Sequence, residues 1–334
     1  MSSITPQPVY PINPSGFNSP GGTAPYSGTP YSGTFIPALW SGKLAQKFYA
    51  ATVFGSIANT DYQGDISGMG DTVIINTIPT ITIHDYEIGQ NLNYEVPKPN
   101  TLQMVINRGK YFGVNVNNVL EYQAKPRLME VFTNDASMQM KIQIDSDVLL
   151  GTFDKGDPAN MGTNAGRISG SYDLGTDDAP IELTAANILE KITAMSSVLD
   201  EANVPETDRW LVITPTERQI LMRSNLAQAQ FMGDATSILR NGRIGQIDRF
   251  TVYVSNLTPR AAAGKDWTGG DQSGAAKRHV MMAGHSSAIT FASQIAKVEQ
   301  LQNPNDFGTL VRGLNVYGYQ VVQPEGLTLC VVSG

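Results

Sequence analysis

One change of hydrophobic period within 80 residues constrains this chain more than any other feature. From Thr72 to His84 the residues are largely β-branched, and Thr80, Ile81, Thr82, Ile83 and His84 alternate strictly, as in a strand with one covered face. A second run, Thr101 to Asn107, puts Leu102, Met104 and Ile106 on one face and Gln103, Val105 and Asn107 on the other. Between them lies Asp85–Asn100, ending Pro97-Lys98-Pro99-Asn100. The pattern predicts a long β-hairpin over 72–107, each arm about 40 Å at roughly 3.3 Å per residue. Its Leu102/Met104/Ile106 face would be bare on an isolated hairpin, so the economical expectation is burial mainly against a neighbouring subunit. The period then changes to about four. Leu128, Phe132, Ala136, Met140, Ile144 and Val148 form an apolar stripe, predicting a helix from Pro126 of about 25 residues and 38 Å, ended by Gly151. Leu128, Phe132, Met140 and Ile144 should be buried, and Arg127, Glu130, Asp135, Lys141, Asp145 and Asp147 should lie off the stripe.

Before the hairpin, the first 42 residues hold no charged side chain, eight of the 19 prolines fall between Pro6 and Pro37, and Tyr-Ser-Gly-Thr occurs at 26–29 and again at 31–34. Such a segment forms neither helix nor central strand. It is a disordered tail, or an arm that orders only against a neighbouring molecule, which its tyrosines and lack of charge suit. Residues 44–57 fit a short helix or a strand equally. Asp61–Asp71, with Gly64, Gly68 and Gly70, is turn-rich.

After the long helix, residues 154–180 are polar and rich in Gly and Asp and read as an exposed loop. The chain then becomes α/β. Thr184 is placed to cap a helix through Ala202 with Ile188, Ile192, Met195 and Leu199 buried. Trp210–Ile213 is a short strand, and Thr214-Pro215-Thr216-Glu217 combines a capping box with proline at the first helical position. Phe250–Val254 and Val280–Ala283 read as strands, 261–277 as a loop, and Leu314–Val332 as strand broken at Gly318 and Pro324.

Function classes fall away quickly. A net charge of −7 and a pI near 5.0 exclude nucleic-acid reading by bulk positive charge. One cysteine, Cys330, makes no intrachain disulfide, and with only His84, His279 and His285 a zinc or iron–sulfur site is not expected. No stretch approaches the roughly 20 apolar residues of a membrane span, and no signal peptide is expected. The chain carries no Gly-x-Ser-x-Gly elbow, phosphate loop or His-Glu-x-x-His. Asp61, Asp65 and Asp71 lack calcium-loop spacing. His285 beside Ser286-Ser287 reads as structural, Asp177-Asp178 as solvated, and Arg240, Arg243, Arg249 and Lys277-Arg278 as solvated or ion-paired. The expectation is no catalytic, cofactor-binding or metal-binding residue, and no enzyme.

Two passages carry a resemblance. Gly242-Arg243-Ile244-Gly245-Gln246-Ile247-Asp248-Arg249-Phe250-Thr251-Val252-Tyr253-Val254-Ser255-Asn256 resembles a segment common in major capsid proteins of tailed bacteriophages. Asn305-Asp306-Phe307-Gly308, followed by Val311-Arg312-Gly313-Leu314-Asn315-Val316-Tyr317-Gly318-Tyr319-Gln320-Val321, resembles the C-terminal return strand of that family. The resemblance implies the α+β Hong Kong 97-type fold: an N-terminal arm (1–42), an extended β-hairpin loop (60–110), a peripheral domain with a spine helix at about 126–150 (111–180), an axial α/β domain (181–310) and a return strand to the peripheral domain (311–334). It implies a subunit that self-assembles, as hexamers and pentamers, into an icosahedral shell around double-stranded DNA in the virion, made in the host bacterial cytoplasm. The implied partners are a separate scaffolding protein, since no fused scaffolding segment is recognisable, a portal protein, a cement or decoration protein, and packaged DNA through non-specific contact; no membrane is implied. Alternatives within and outside the fold are an encapsulin-like compartment shell and an α/β enzyme.

Overall fold

The computed structural model describes residues 49–61, 72–77, 79, 81–91, 94–98, 100–117, 128–224, 245–261, 266–269, 278–303 and 308–333. The expected arm over 1–42, nearly all of the turn-rich 61–71 stretch, Arg240 and Arg243, and Asn305–Phe307 lie outside them.

The largest of the three sheets among the described residues has the strand order β4-β13-β10-β5-β7-β6, with β8 beside β10 and β9 beside β8. Its strands are β4 (Ile181–Glu182), β5 (Arg209–Ile213), β6 (Gln246–Ile247), β7 (Phe250–Val254), β8 (Pro259–Ala261), β9 (Thr268–Gly269), β10 (Arg278–His285) and β13 (Leu327–Ser333). β5–β7 and β13–β4 run parallel and the other pairs antiparallel. Both faces are covered, which is why β5 reads as an unbroken apolar run without alternation. Leu211, Ile213, Met281, Ala283, Cys330 and Val332 face the helix α3 (Ile188–Glu201) through Ile188, Ile192, Met195 and Leu199. Trp210, Val212, Val280, Met282, Leu329 and Val331 point the other way, onto Leu149, Val53 and Ile57. The capping box forms as expected: Thr214 and Glu217 bond reciprocally at the start of α4 (Pro215–Arg223).

The second sheet is antiparallel and consists of β11 (Ile289–Gln302), β12 (Gly308–Val321) and β3 (Arg108–Asn117), in the order β11-β12-β3. The long helix α2 (Leu128–Thr152) lies on one face, where Ile144 and Val148 pack on Phe291 and Tyr317. The other face takes the hairpin of β1 (Thr72–Thr77) and β2 (Asn100–Val105): Ile75, Met104 and Ile106 close over Ala292 and Val316. A four-residue helix, α1 (Phe54–Ile57), resolves part of the open 44–57 segment.

Several expectations are corrected. The hairpin strands are six residues each, about 20 Å rather than 40 Å. Beyond Thr77 the described residues 79 and 81–87 belong to no strand, and Pro79 has no amide to donate to a ladder. The base of the hairpin is subunit core: Met104 and Ile106 are fully buried within one chain. On α2, Phe132 is 41% exposed while Asp145, read as off the stripe, is completely buried; Gly151 lies inside the helix, which runs to Thr152. α3 begins at Ile188, after a turn in which the Thr184 carbonyl accepts from the Asn187 and Ile188 amides, so Thr184 is not its side-chain cap. The 154–180 stretch lies at the surface, as its composition predicts, but is pinned to the core at buried Asn160, Ala165 and Leu174, and Asn160 Nδ2 donates to the carbonyls of Glu325 and Leu327. β12 passes through Gly318 unbroken. A Cβ there would stand 2.7 Å from the Val105 carbonyl oxygen, so glycine is what lets the hairpin base lie on this strand. β11 belongs with β12, and after the Pro324–Gly326 turn β13 joins the larger sheet.

Candidate functional site

The residues that bear on function in this fold are those fixing its exposed surfaces, and their placement starts at α2. Asp145 accepts hydrogen bonds from the amides of Val53 (3.0 Å) and Phe54 (2.9 Å), tying the entry of α1 to the long helix. Burial pushes its carboxyl up to about 6 against the pull of those two bonds. Two residues on, Asp147 ties the helix to the sheet. Arg108 Nη1 donates to its carboxylate at 3.0 Å, Tyr317 Oη donates to Oδ2 at 2.6 Å, and Tyr319 Oη donates to its backbone carbonyl at 2.9 Å. The Arg108 guanidinium also lies 4.5 Å from the Tyr319 ring centroid. Burial, then the Asp147 hydrogen bond, raise the Tyr317 phenol well above its ordinary value, so it remains a donor.

From this fixed base the distal hairpin, residues 81–98, projects with its apolar side chains in water. Ile83 is 89% exposed, Ile88 97% and Val96 85%, with Ile81, Tyr86 and Tyr94 also exposed. The two limbs touch: the Thr82 amide donates to Glu95 Oε2 at 3.3 Å, and His84 Nε2 stands 3.8 Å from Glu95 Oε1. The Thr82 hydrogen bond holds the Glu95 carboxyl below the usual range. Val131, Phe132 and Met138 form a second exposed apolar strip on α2, and Tyr111, Leu301 and Leu314 a third on the three-stranded sheet. Large apolar side chains left in water in such numbers mark contact with other molecules.

The three histidines are not brought together. His84 lies on the hairpin. His279 faces buried Glu217 at 2.9 Å, and His285 Nδ1 sits 2.7 Å from Ser287 Oγ in the β10–β11 turn. The Ser287 hydroxyl also bonds Gln323, so the pair staples a turn to the β12 end instead of opening on a cleft. Asp177 is solvated, as expected, and also ion-paired with largely buried Arg278, and Arg249 grips Asp200 through two 2.8 Å bonds. Among the described residues, no three metal-ligating side chains converge. The sequence marks Asp145 and Asp147 only as charges off the α2 stripe, and Asn160 not at all, because their partners lie far off along the chain.

A family model described as phage capsid protein matches residues 103–329, from within β2 to within β13. The chain belongs to the phage capsid protein family. The match spans 242–256 and 305–321, the two passages that carried the resemblance. Among solved structures, the capsid protein fold is shared with Mycobacterium phage Che8 at 25% identity and a TM-score of 0.69, over 89% of this chain and 97% of that one. The capsid structure of cyanophage P-SCSP1u aligns at 17% identity and TM-score 0.61, over 93% and 96% of the two chains. The mature capsid of bacteriophage PhiM1 aligns at 17% and 0.60, over 88% and 90%. No curated protein matches. This phage capsid protein therefore has the α+β Hong Kong 97-type capsid fold. It is a major capsid protein of a tailed phage, a structural subunit of an icosahedral virion shell and not an enzyme. In a shell subunit, apolar surface left open by one chain is surface for the next.

Proposed function

We propose that this capsid protein encloses a double-stranded DNA genome in a shell of hexamers and pentamers, with the distal hairpin of each subunit lying across a neighbour. The larger sheet with α3 and α4 is the axial domain, the three-stranded sheet with α2 the peripheral domain, and 1–42 the arm that orders on assembly. The observation that carries the reading is the contrast within one hairpin. Ile75, Met104 and Ile106 are sealed against their own sheet, while Ile83, Ile88 and Val96 are almost fully in water. A limb held on a rigid base, with apolar side chains and nothing among the described residues to cover them, is built for intermolecular burial. Many such contacts per shell let each stay weak and reversible during assembly. A net negative chain meets packaged DNA only through local, non-specific contact. A separate scaffolding protein, a portal and a cement or decoration protein complete the assembly, which forms in the host bacterial cytoplasm.

Replacing residues 81–98 with a short Gly-Ser linker tests this. The variant should remain soluble and melt cooperatively, because the β1–β2 base keeps its core, yet form no closed shells by electron microscopy. Normal shells would refute the hairpin's role. Insoluble protein would show that the distal limb belongs to the subunit core.

A further inference from the structure

The loop 154–180 carries a surface feature that neither the hairpin nor the sheets account for. Ala165 and Tyr172 exchange both backbone hydrogen bonds, 2.8 and 3.0 Å, and close a small turn. Inside it, Glu201 Oε2 from α3 accepts the amides of Ile168 (2.8 Å) and Ser169 (3.0 Å). The Gly170 amide donates to the Gly166 carbonyl. Arg167 Nη2 reaches Glu325 Oε1 at 2.7 Å and Asp157 Oδ2 at 3.2 Å, binding the turn to the segment before β13. Gly166 sits at φ +109°, and a Cβ there would stand 2.8 Å from Glu201 Oε2, so only glycine lets the turn close on that carboxylate. The tip of this braced turn is Ile168, 80% exposed and the most exposed aliphatic side chain outside the hairpin among the described residues.

We propose that the Gly166–Gly170 turn is a preformed contact point for a second copy of this chain, with Ile168 as its apolar anchor. The proposal rests on the shell-forming reading and adds a specific self-contact remote from the hairpin. The turn's amides at 168, 169 and 170 and the Arg167 guanidinium are already engaged within the chain, so what it offers a partner is the isoleucine. Two carboxylates, Asp157 and Glu325, pair with the one guanidinium, and a third, Glu201, sits beneath the turn on its amides; this excess of negative charge repels a phosphate backbone and points to protein instead of DNA. In a shell, the protein surface present at the highest local concentration is another copy. The turn is held in place before contact, so ordering it on binding costs little.

The test begins with electron microscopy of particles assembled from the parent chain; a parent that forms none overturns the shell reading beneath the proposal, and separates that failure from the ones below. With parent shells in hand, Ile168→Asp should leave the melting temperature of the free subunit unchanged and raise the assembly threshold concentration by about tenfold or more, the effect of losing one apolar anchor, while Ile168→Val assembles as the parent does. A photo-crosslinking amino acid in place of Ile168 should yield, in assembled shells only, a product of twice the subunit mass. Assembly of Ile168→Asp at the parent threshold, or a crosslink to a different virion protein, would overturn the proposal.

Discussion

Gly151 is the position where local propensity and tertiary packing make opposite forecasts. It lies in the last turn of α2, where Gly→Ala should stabilise a helix by about 1 kcal/mol. A Cβ built there falls on the Tyr319 hydroxyl and 2.7 Å from its Cζ, so the ring must leave. Leaving breaks the Tyr319 Oη hydrogen bond to the Asp147 carbonyl, about 1 kcal/mol, and the stacking of Arg108 on the ring, about 0.5–2 kcal/mol. Repacking a half-buried tyrosine adds about 1–3 kcal/mol. Against the propensity gain, the net expectation for Gly151→Ala is a loss of about 1.5–5 kcal/mol. Denaturant unfolding of the free subunit measures it, and a double-mutant cycle isolates the cause. On a Tyr319→Ala background the same Gly151→Ala change should stabilise by about 1 kcal/mol, because only propensity is left. A stabilising Gly151→Ala in the parent, or the same destabilisation on both backgrounds, would refute the reasoning.

Three further outcomes follow from the packing. Ile144→Ala, at 2% exposure, should cost about 2–5 kcal/mol in thermal unfolding, and Phe132→Ala less than half as much in the free subunit; equal costs would mean the buried face is misassigned. Asp145, with its carboxyl raised from 3.8 to about 6, favours the folded chain when protonated. Its contribution is fully present below about pH 4 and lost as pH rises through 6, about 3 kcal/mol in all. The stability difference between parent and Asp145→Asn should therefore shift in the parent's disfavour by that amount from pH 4 to 7, and a difference independent of pH would contradict it. Asn160→Ala strips the Glu325 and Leu327 carbonyls of their donor and should cost about 2–4 kcal/mol by the same melts; a neutral effect would mean the 154–180 stretch is as loosely held as its composition suggested.

What could be read from the sequence was what is decided within a few residues. The α4 capping box needs only Thr214 and Glu217, three apart, and it forms as written. The stripe of α2 fixed the helix but not which of its turns is covered. Phe291 and Tyr317, which cover Ile144 and Val148, arrive more than 140 residues later, and nothing local distinguishes those positions from exposed Phe132. Asp145 looked solvated because its partners are backbone amides 91 and 92 residues away, invisible to any side-chain pattern. The composition of 154–180 correctly marked a surface loop but not its pin: buried Asn160 is held by the Leu327 carbonyl and the Thr328 hydroxyl, more than 160 residues away. The exposed hairpin was legible as alternation, but alternation cannot say where pairing stops. That depends on Pro79 and on the reach of the sheet beneath.

The account stands most directly on where residues 81–98 lie in an assembled particle, and cryo-electron microscopy of shells formed by this chain measures that. The expected map shows a wall made of copies of this fold, with Ile83, Ile88 and Val96 of each hairpin buried against an adjacent subunit. A wall in which those side chains fold back on their own subunit, or remain in solvent, would contradict it.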